Sequence, residues 1–225
     1  MMDKQYADYA WEMAARLLAI DSPSGYTEKA AQWVCDSFRQ LGFDARLTRK
    51  GGVLVDFGGE NKEDGLLLEA HTDTLGAMVC QVKGSGALKL TSLGGMNANN
   101  AEAENVRVYT RDGRVYEGTC QLHDPSIHVN GGYNDAKRSW DSVEIILDED
   151  TRKLGIEVGD FVCFDPRTRR TASGYLKSRF LDDKLSVGIL FGFARYLKDN
   201  GITPARRVYG HVTVYEEVGH GGCAS

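Results

Sequence analysis

The sequence is poor in cysteine and proline, and no long apolar run interrupts it. Its five cysteines (Cys35, Cys80, Cys120, Cys163 and Cys223) are an odd number, and no two form a C-x-x-C pair. That pattern argues against a disulfide framework and a zinc knuckle and suits a reducing compartment. No stretch approaches the roughly 18 consecutive apolar residues of a membrane span. A basic excess is missing too: 27 Lys and Arg stand against 32 Asp and Glu, for a formal net charge of −5. A chain with that balance is a poor non-specific nucleic-acid binder. Met1 to Arg16 mixes Asp3, Lys4, Asp8 and Glu12 with apolar residues, without the basic and apolar regions of a signal peptide. A cytoplasmic protein with no nucleic-acid or membrane partner is therefore expected. What remains is an ordinary globular composition, 42% hydrophobic and 26% charged, in a chain long enough for one large domain or two small ones. With 26 Gly against 4 Pro, strands and turns should dominate.

The chain changes character twice. Tyr6, Tyr9, Met13, Leu17 and Ile20 recur at helical steps, and Asp21 to Gly25 supplies turn chemistry. Ala31, Val34, Phe38 and Leu41 mark a second helix from about Glu28 to Leu41, stopped by Gly42. Phe43, Ala45 and Leu47 alternate as in a half-buried strand, and Val53 to Val55 follows the Gly51-Gly52 turn. Gly58 to Gly65 reads as a polar loop. Leu66 to His71, apolar without alternation, predicts an interior strand covered on both faces. From Gly76 to about Gly174 helical periodicity disappears. Short strands take its place at 77–82, 87–91, 106–110, 115–122, 143–147 and 161–164, with hairpin turns at Gly84-Ser85-Gly86 and Asp112-Gly113. Asp124 to Trp140 reads as a long loop. This block predicts a small β-barrel or sandwich. Helical spacing returns with Leu185, Ile189, Phe193 and Leu197, halted at Asn200-Gly201, and a strand from Val208 to Tyr215 follows. The expected organisation is an α/β domain (residues 1–75 and 175–225) into which an all-β domain (76–174) is inserted.

Three clusters fall in the α/β parts. His71 closes an apolar strand, at the carboxyl end where open α/β sheets bind ligands. Imidazole is a good zinc or cobalt ligand, and Asp73 stands where it could hold the other ring nitrogen; a strand-end histidine beside a solvated Asp is the plainer alternative. Asp182-Asp183 opens a helix, where carboxylates complement the helix dipole, but Asp182 is also placed to bridge two metal ions. Glu216-Glu217 ends a strand, where the two could be solvated or could divide labour as metal ligand and general base. His123, His128 and His211 have no metal spacing around them and read as structural. Gly188 and Gly192 suggest a helix packed on the sheet. Cys223 lacks a histidine partner pattern and reads as packing.

The order EAHTDTLG (69–76), an all-β insert, FLDDK (180–184) and VYEEVG (214–219) resembles the tetrahedral (TET-type) aminopeptidases, family forty-two of the metallopeptidases, which include glutamyl aminopeptidases. Pro23-Ser24-Gly25, Thr110 to Gly113 and Leu154 to Asp160 also match that pattern, so the resemblance covers nearly the whole chain. It implies an α/β/α catalytic domain with a barrel-like insert. It also implies a site with two divalent metal ions, zinc or cobalt. His71, Asp182 and Glu217 match metal ligands, Asp182 as the bridge; Glu216 matches the general base and Asp73 the carboxylate that orients His71. The implied activity is removal of N-terminal residues from short peptides with a free N-terminus. The implied assembly is a homo-oligomer, dimers building a dodecamer.

Family members supply a further aspartate shortly after the two glutamates and a histidine much nearer their C-terminus. No Asp follows Glu217 here, and His220 is too close to be the distal histidine. Against that pattern the chain reads as a copy truncated at its C-terminus, with weak activity expected of it alone. Two other readings compete: a catalytically incomplete folding or assembly module, and a related hydrolase such as a glycosidase with paired carboxylates.

Overall fold

The computed structural model describes residues 3–219 together with Gly221 and Gly222; His220 and Cys223, both singled out above, lie outside the described residues. In chain order the elements are α1 (Lys4–Leu18), α2 (Glu28–Gln40), β1 (Asp44–Leu47), β2 (Val53–Gly58), β3 (Asn61–His71), β4 (Gly76–Val82), β5 (Leu88–Leu93), β6 (Asn105–Tyr109), β7 (Val115–Leu122), β8 (Val143–Leu147), β9 (Phe161–Phe164), β10 (Arg169–Arg170), β11 (Leu176–Lys177), α3 (Leu181–Asn200) and β12 (Arg206–Thr213). The fold is mixed α/β. Two compact units result, one running through Thr74 and resuming at Pro166, the other Leu75–Asp165.

In the first unit the sheet order is β1-β2-β12-β3, with β12 parallel to β3 and antiparallel to β2. Ala45, Val53, Val55, Phe57, Ala70, Val208 and Val212 alternate onto one face and share a core with residues of all three helices. Phe38 of α2 and Phe191 of α3 stack at its centre, centroids 4.0 Å apart, both fully buried.

Four sequence expectations change here. Leu66 to His71 is not covered on both faces. It belongs to β3, which lies at the sheet edge with Leu66 and Leu67 exposed, and which also takes in Asn61 to Gly65 from the expected polar loop. A run of leucines records hydrophobicity, not how many neighbours a strand acquires. On α3 the buried stripe is Lys184, Val187, Gly188, Leu190, Phe191, Gly192, Ala194 and Leu197, while Ile189 is 51% exposed. Steps of four drift around a helix of 3.6 residues per turn, and hydropathy overlooks small residues at a close approach. Gly188 and Gly192 are that approach, and their partner is α1, not the sheet. A Cβ at Gly188 would stand 2.6 Å from Ala10 O, and one at Gly192 would stand 2.9 Å from Ala10 Cβ.

The second unit is a closed barrel in the order β4-β5-β8-β7-β6-β9. Alternating residues such as Val79, Leu88, Val106, Val108, Cys120, Ile145 and Val162 are buried, as closure of a period-2 pattern requires. Both expected hairpin turns form. Gly86 (φ 92) and Gly113 (φ 85) take the left-handed conformation, and Thr110 N–H bonds Arg114 O at 3.0 Å. The 124–140 segment is a loop with one 3-10 turn, Tyr133–Asp135, held by Arg138 on Glu102 at 2.7 Å.

Candidate active site

The site is built where β3 and β12 end side by side. Their parallel register sets Thr213 beside His71, and Thr72 N–H bonds Thr213 O at 3.0 Å. His71 is buried. Its Nδ1 lies 3.0 Å from Asp73 O and 3.3 Å from Asp73 Oδ1. A carbonyl only accepts, so Nδ1 carries the proton and Nε2 is turned to the cleft. There Nε2 meets Asp182 Oδ1 at 3.1 Å and Glu216 Oε2 at 3.6 Å. Burial alone would lower the imidazole pKa. The hydrogen bond and charge of Asp73, joined by Asp182, outweigh it and raise the pKa to about 9. The ring thus faces an environment that draws positive charge.

Asp73 is fully buried and ties the parts together. Besides the imidazole, it accepts Ser24 Oγ–H at 2.5 Å, Glu216 N–H at 3.2 Å and Glu217 N–H at 3.3 Å. Burial would raise its pKa, but the hydrogen bonds from His71, Ser24 and Glu216 hold it below the ordinary carboxylate value. The Pro23-Ser24-Gly25 loop is stitched to the end of β3. Ser22 Oγ bonds Thr72 O at 2.7 Å, Thr74 N bonds Ser22 O at 2.9 Å, and Ser24 N bonds Thr74 O at 3.2 Å. The motif by itself gives Ser24 no task. Its only signal was a serine in a turn, and its partner lies 49 residues away.

Two backbone turns deliver the other carboxylates, and each follows a non-glycine residue in the left-handed region: Phe180 (φ 61) before Leu181-Asp182, and Tyr215 (φ 70) before Glu216. Asp182 and Asp183 are non-helical in φ and ψ, so the regular helix begins at Lys184. The Asp182 side chain is 91% exposed. Lys184 is buried, and its ammonium donates to Leu17 O at 3.1 Å and Ile20 O at 2.6 Å, at the carbonyl end of α1. The strand expected to reach Tyr215 ends at Thr213, and Glu216–Val218 forms a 3-10 turn. Because the strand stops early, adjacent glutamates need not point to opposite faces. Glu217 is half-buried. Burial pushes its carboxyl up to about 7; His71 opposes this, while Asp73, Glu216 and Asp182 add to it.

The structure therefore brings Asp73, Asp182 and Glu216 each within polar reach of the His71 ring and fixes Glu217 to Asp73 through its main chain. The donor set has the right chemistry for a divalent ion, an imidazole nitrogen with carboxylate oxygens. Among the described residues, however, no group of three or more His, Cys, Asp or Glu is arranged to hold a metal ion. His123 instead bonds Glu144 at 2.9 Å, His211 bonds Glu69 at 3.0 Å, and His128 is exposed on a loop.

The model of the M42 glutamyl aminopeptidase family matches residues 51–225. The chain belongs to this family. YhfE of Bacillus subtilis, a protein named for an aminopeptidase, is 36% identical over 217 residues, covering 94% of this chain and 63% of its own length. A TET aminopeptidase from a marine sediment archaeon of the Thaumarchaeota superimposes with a TM-score of 0.85 at 23% identity, covering 96% of this chain and 61% of that one. The TET1 peptidase of Pyrococcus horikoshii, described as assembling into a tetrahedron or a large octahedral shell, superimposes with a TM-score of 0.76 at 24% identity, covering 93% and 62%. This M42 chain thus spans a little over three-fifths of the length of these relatives.

Proposed function

We propose that this M42 chain carries part of the site of a metal-dependent aminopeptidase, a hydrolase that removes N-terminal residues from short peptides. One observation carries the reading: in a member of this family, His71 is held at Nδ1 by Asp73 and turns Nε2 toward Asp182 and Glu216. His71 and Asp182 would hold one divalent ion, and Asp182 and Glu217 a second. Zinc and cobalt both suit mixed imidazole and carboxylate ligands. Such ions, when bound, would acidify water and polarise the scissile carbonyl. Glu216 takes the water's proton and passes it to the leaving amine. Asp73 keeps the imidazole in one tautomer and one orientation. The negative charge gathered at Asp182, Glu216 and Glu217 favours a substrate whose N-terminus is free and positively charged.

The protein is further proposed to work as a cytoplasmic homo-oligomer, dimers building a dodecamer. Support comes from the assembling Pyrococcus horikoshii relative; no described helix is long and apolar enough to cross a membrane.

The test is hydrolysis of aminoacyl p-nitroanilides with cobalt or zinc added, compared with the N-acetylated substrates and with a chelator present. Metal-dependent release from the free-amino substrates alone is expected. Equal cleavage of acetylated substrates, or activity indifferent to chelation, would overturn the reading.

A further inference from the structure

The three pieces of the candidate site are not held alike. His71 and Asp73 come from the end of β3, and Glu216 and Glu217 follow β12. The register of the two strands and the bonds of Asp73 tie these pieces together. Asp182 stands outside the sheet. Its side chain is 91% exposed, and Asp182 and Asp183 are non-helical in φ and ψ, so the geometry of a regular helix does not fix them. Two residues on is Lys184, 1% exposed, where the regular helix begins. Local rules speak against a lysine there. Burying an ammonium is costly, and a cation in the first turn opposes the dipole of α3. The compensation comes from another helix. Nζ donates to Leu17 O at 3.1 Å and to Ile20 O at 2.6 Å, at the carbonyl end of α1, where a cation complements the dipole. A residue that breaks local rules and is compensated by distant partners marks a place to look for function.

We propose that Lys184 is a positioning residue of the candidate site: its amine sets the Asp182 turn against the segment that leaves α1, and that segment holds His71 through Asp73. From Ile20 the chain runs only four residues to Ser24. Over that stretch Ser22 Oγ bonds Thr72 O, Thr74 N–H bonds Ser22 O, Ser24 N–H bonds Thr74 O and Ser24 Oγ bonds Asp73. One short segment therefore grips the end of β3 and, through Lys184, the start of α3. The close approach of α1 to α3 at Gly188 and Gly192 keeps the two helices together beside it. By this route Asp182 keeps its place opposite His71 Nε2, 3.1 Å away, without depending on the contact between them. An ion held by both groups would take the place of that direct bond, so their spacing has to be kept by something else. Only the consequence for metal binding rests on the proposed metal-dependent site; the positioning of Asp182 by Lys184 does not.

The experiment measures backbone ¹⁵N order parameters of the metal-free chain by NMR and then titrates it with cobalt, followed by visible absorption. Wild type is compared with Lys184→Met, which keeps the length of the side chain and loses the donor. The control is Val187→Ala, which opens a cavity on the buried face of the same helix. In wild type the amides of Asp182 and Asp183 should be rigid, with order parameters near about 0.85. In Lys184→Met they should fall below about 0.6. Val187→Ala should melt lower than wild type and leave them unchanged. Lys184→Met should also bind cobalt about 10–100-fold more weakly, the scale for losing a residue that orients metal ligands, whereas Val187→Ala should bind it as wild type does. If Lys184→Met does not fold, Lys184→Gln, which keeps a donor, is measured in its place and should show the same changes at smaller size. Unchanged order parameters at Asp182 and Asp183, or equal changes in Val187→Ala, would overturn the proposal and leave Lys184 a packing residue. If wild type binds no cobalt, the metal-site reading falls and the order parameters still decide the role of Lys184. If wild type and Lys184→Met bind cobalt equally, the metal-site reading stands and the proposal falls.

Discussion

Asp73 accepts the backbone N–H of Glu216 at 3.2 Å, so the carboxylate that steadies the His71 imidazole also fixes the turn bearing the candidate base. His71 ends β3 and Glu216 follows β12. One buried side chain thus sets the relative position of groups brought in by two strands.

The first prediction follows from that pairing. Asp73→Ala leaves the Ser24 hydroxyl and the N–H groups of Glu216 and Glu217 without their acceptor. Unfolding in urea should show a loss of about 2–4 kcal/mol, the scale for breaking several buried charge-assisted hydrogen bonds. Ser24→Ala should cost about 1–2 kcal/mol on the same argument. The two losses should not add, because the residues touch. Full additivity would mean that Ser24 acts through some other partner.

Glu216→Gln tests the proposed base. In a metal-loaded assay it should lower kcat by about 10²–10⁴, the range for losing general-base catalysis. Cobalt binding, followed by its visible absorption, should change little, since the substitution removes a base and not a proposed ligand. A variant that keeps full turnover would show that the proton goes elsewhere.

Gly188→Leu tests the contact of α1 with α3. A Cβ there would already stand 2.6 Å from Ala10 O and 2.7 Å from Ala14 Cβ. Overpacking of this kind destabilises by about 1–3 kcal/mol. A thermal melt should show the loss, whereas Ile189→Ala, on the exposed side of the same helix, should show much less.

Cys120 supplies a pH dependence outside the site. Burial raises its thiol from 9.0 to about 12, with Glu102 and Glu104 adding to the shift. The unfolded chain therefore releases this proton near pH 9 while the folded chain keeps it. The contribution to stability is whole below pH 9 and declines as pH rises toward 12. Cys120→Ala should flatten that decline in urea titrations. Iodoacetamide should leave native Cys120 unlabelled, because the thiolate is the nucleophile, and label it once the chain unfolds.

Local order settled much of the fold in advance. Helical steps at Tyr6 to Leu17 and at Ala31 to Phe38, short strand segments at 115–122 and 143–147, and glycine at the Lys83–Ala87 and Thr110–Arg114 turns all concern residues near in sequence. Their backbone preferences act before any tertiary contact forms. The same holds for the types of the candidate site residues: an imidazole after an apolar run and paired carboxylates at element ends can be read without coordinates, and the ordered motifs around them sufficed to point to the M42 family.

What depended on distant partners could not be read this way. The leucines of β3 do not disclose that only β12 pairs with them among the described strands, so burial on both faces was expected where Leu66 and Leu67 are exposed. Gly188 and Gly192 carry no hydrophobic signal, although they let α1 approach α3. Ser24 gained a task only when folding set its hydroxyl against Asp73. Lys184 reached the carbonyls of Leu17 and Ile20 only when α1 and α3 packed together. The sequence determined which chemistry the chain carries and most of its local elements. Tertiary structure decided which groups face one another, because hydrogen bonds and repulsions act over a few ångströms and pair residues that the chain keeps far apart.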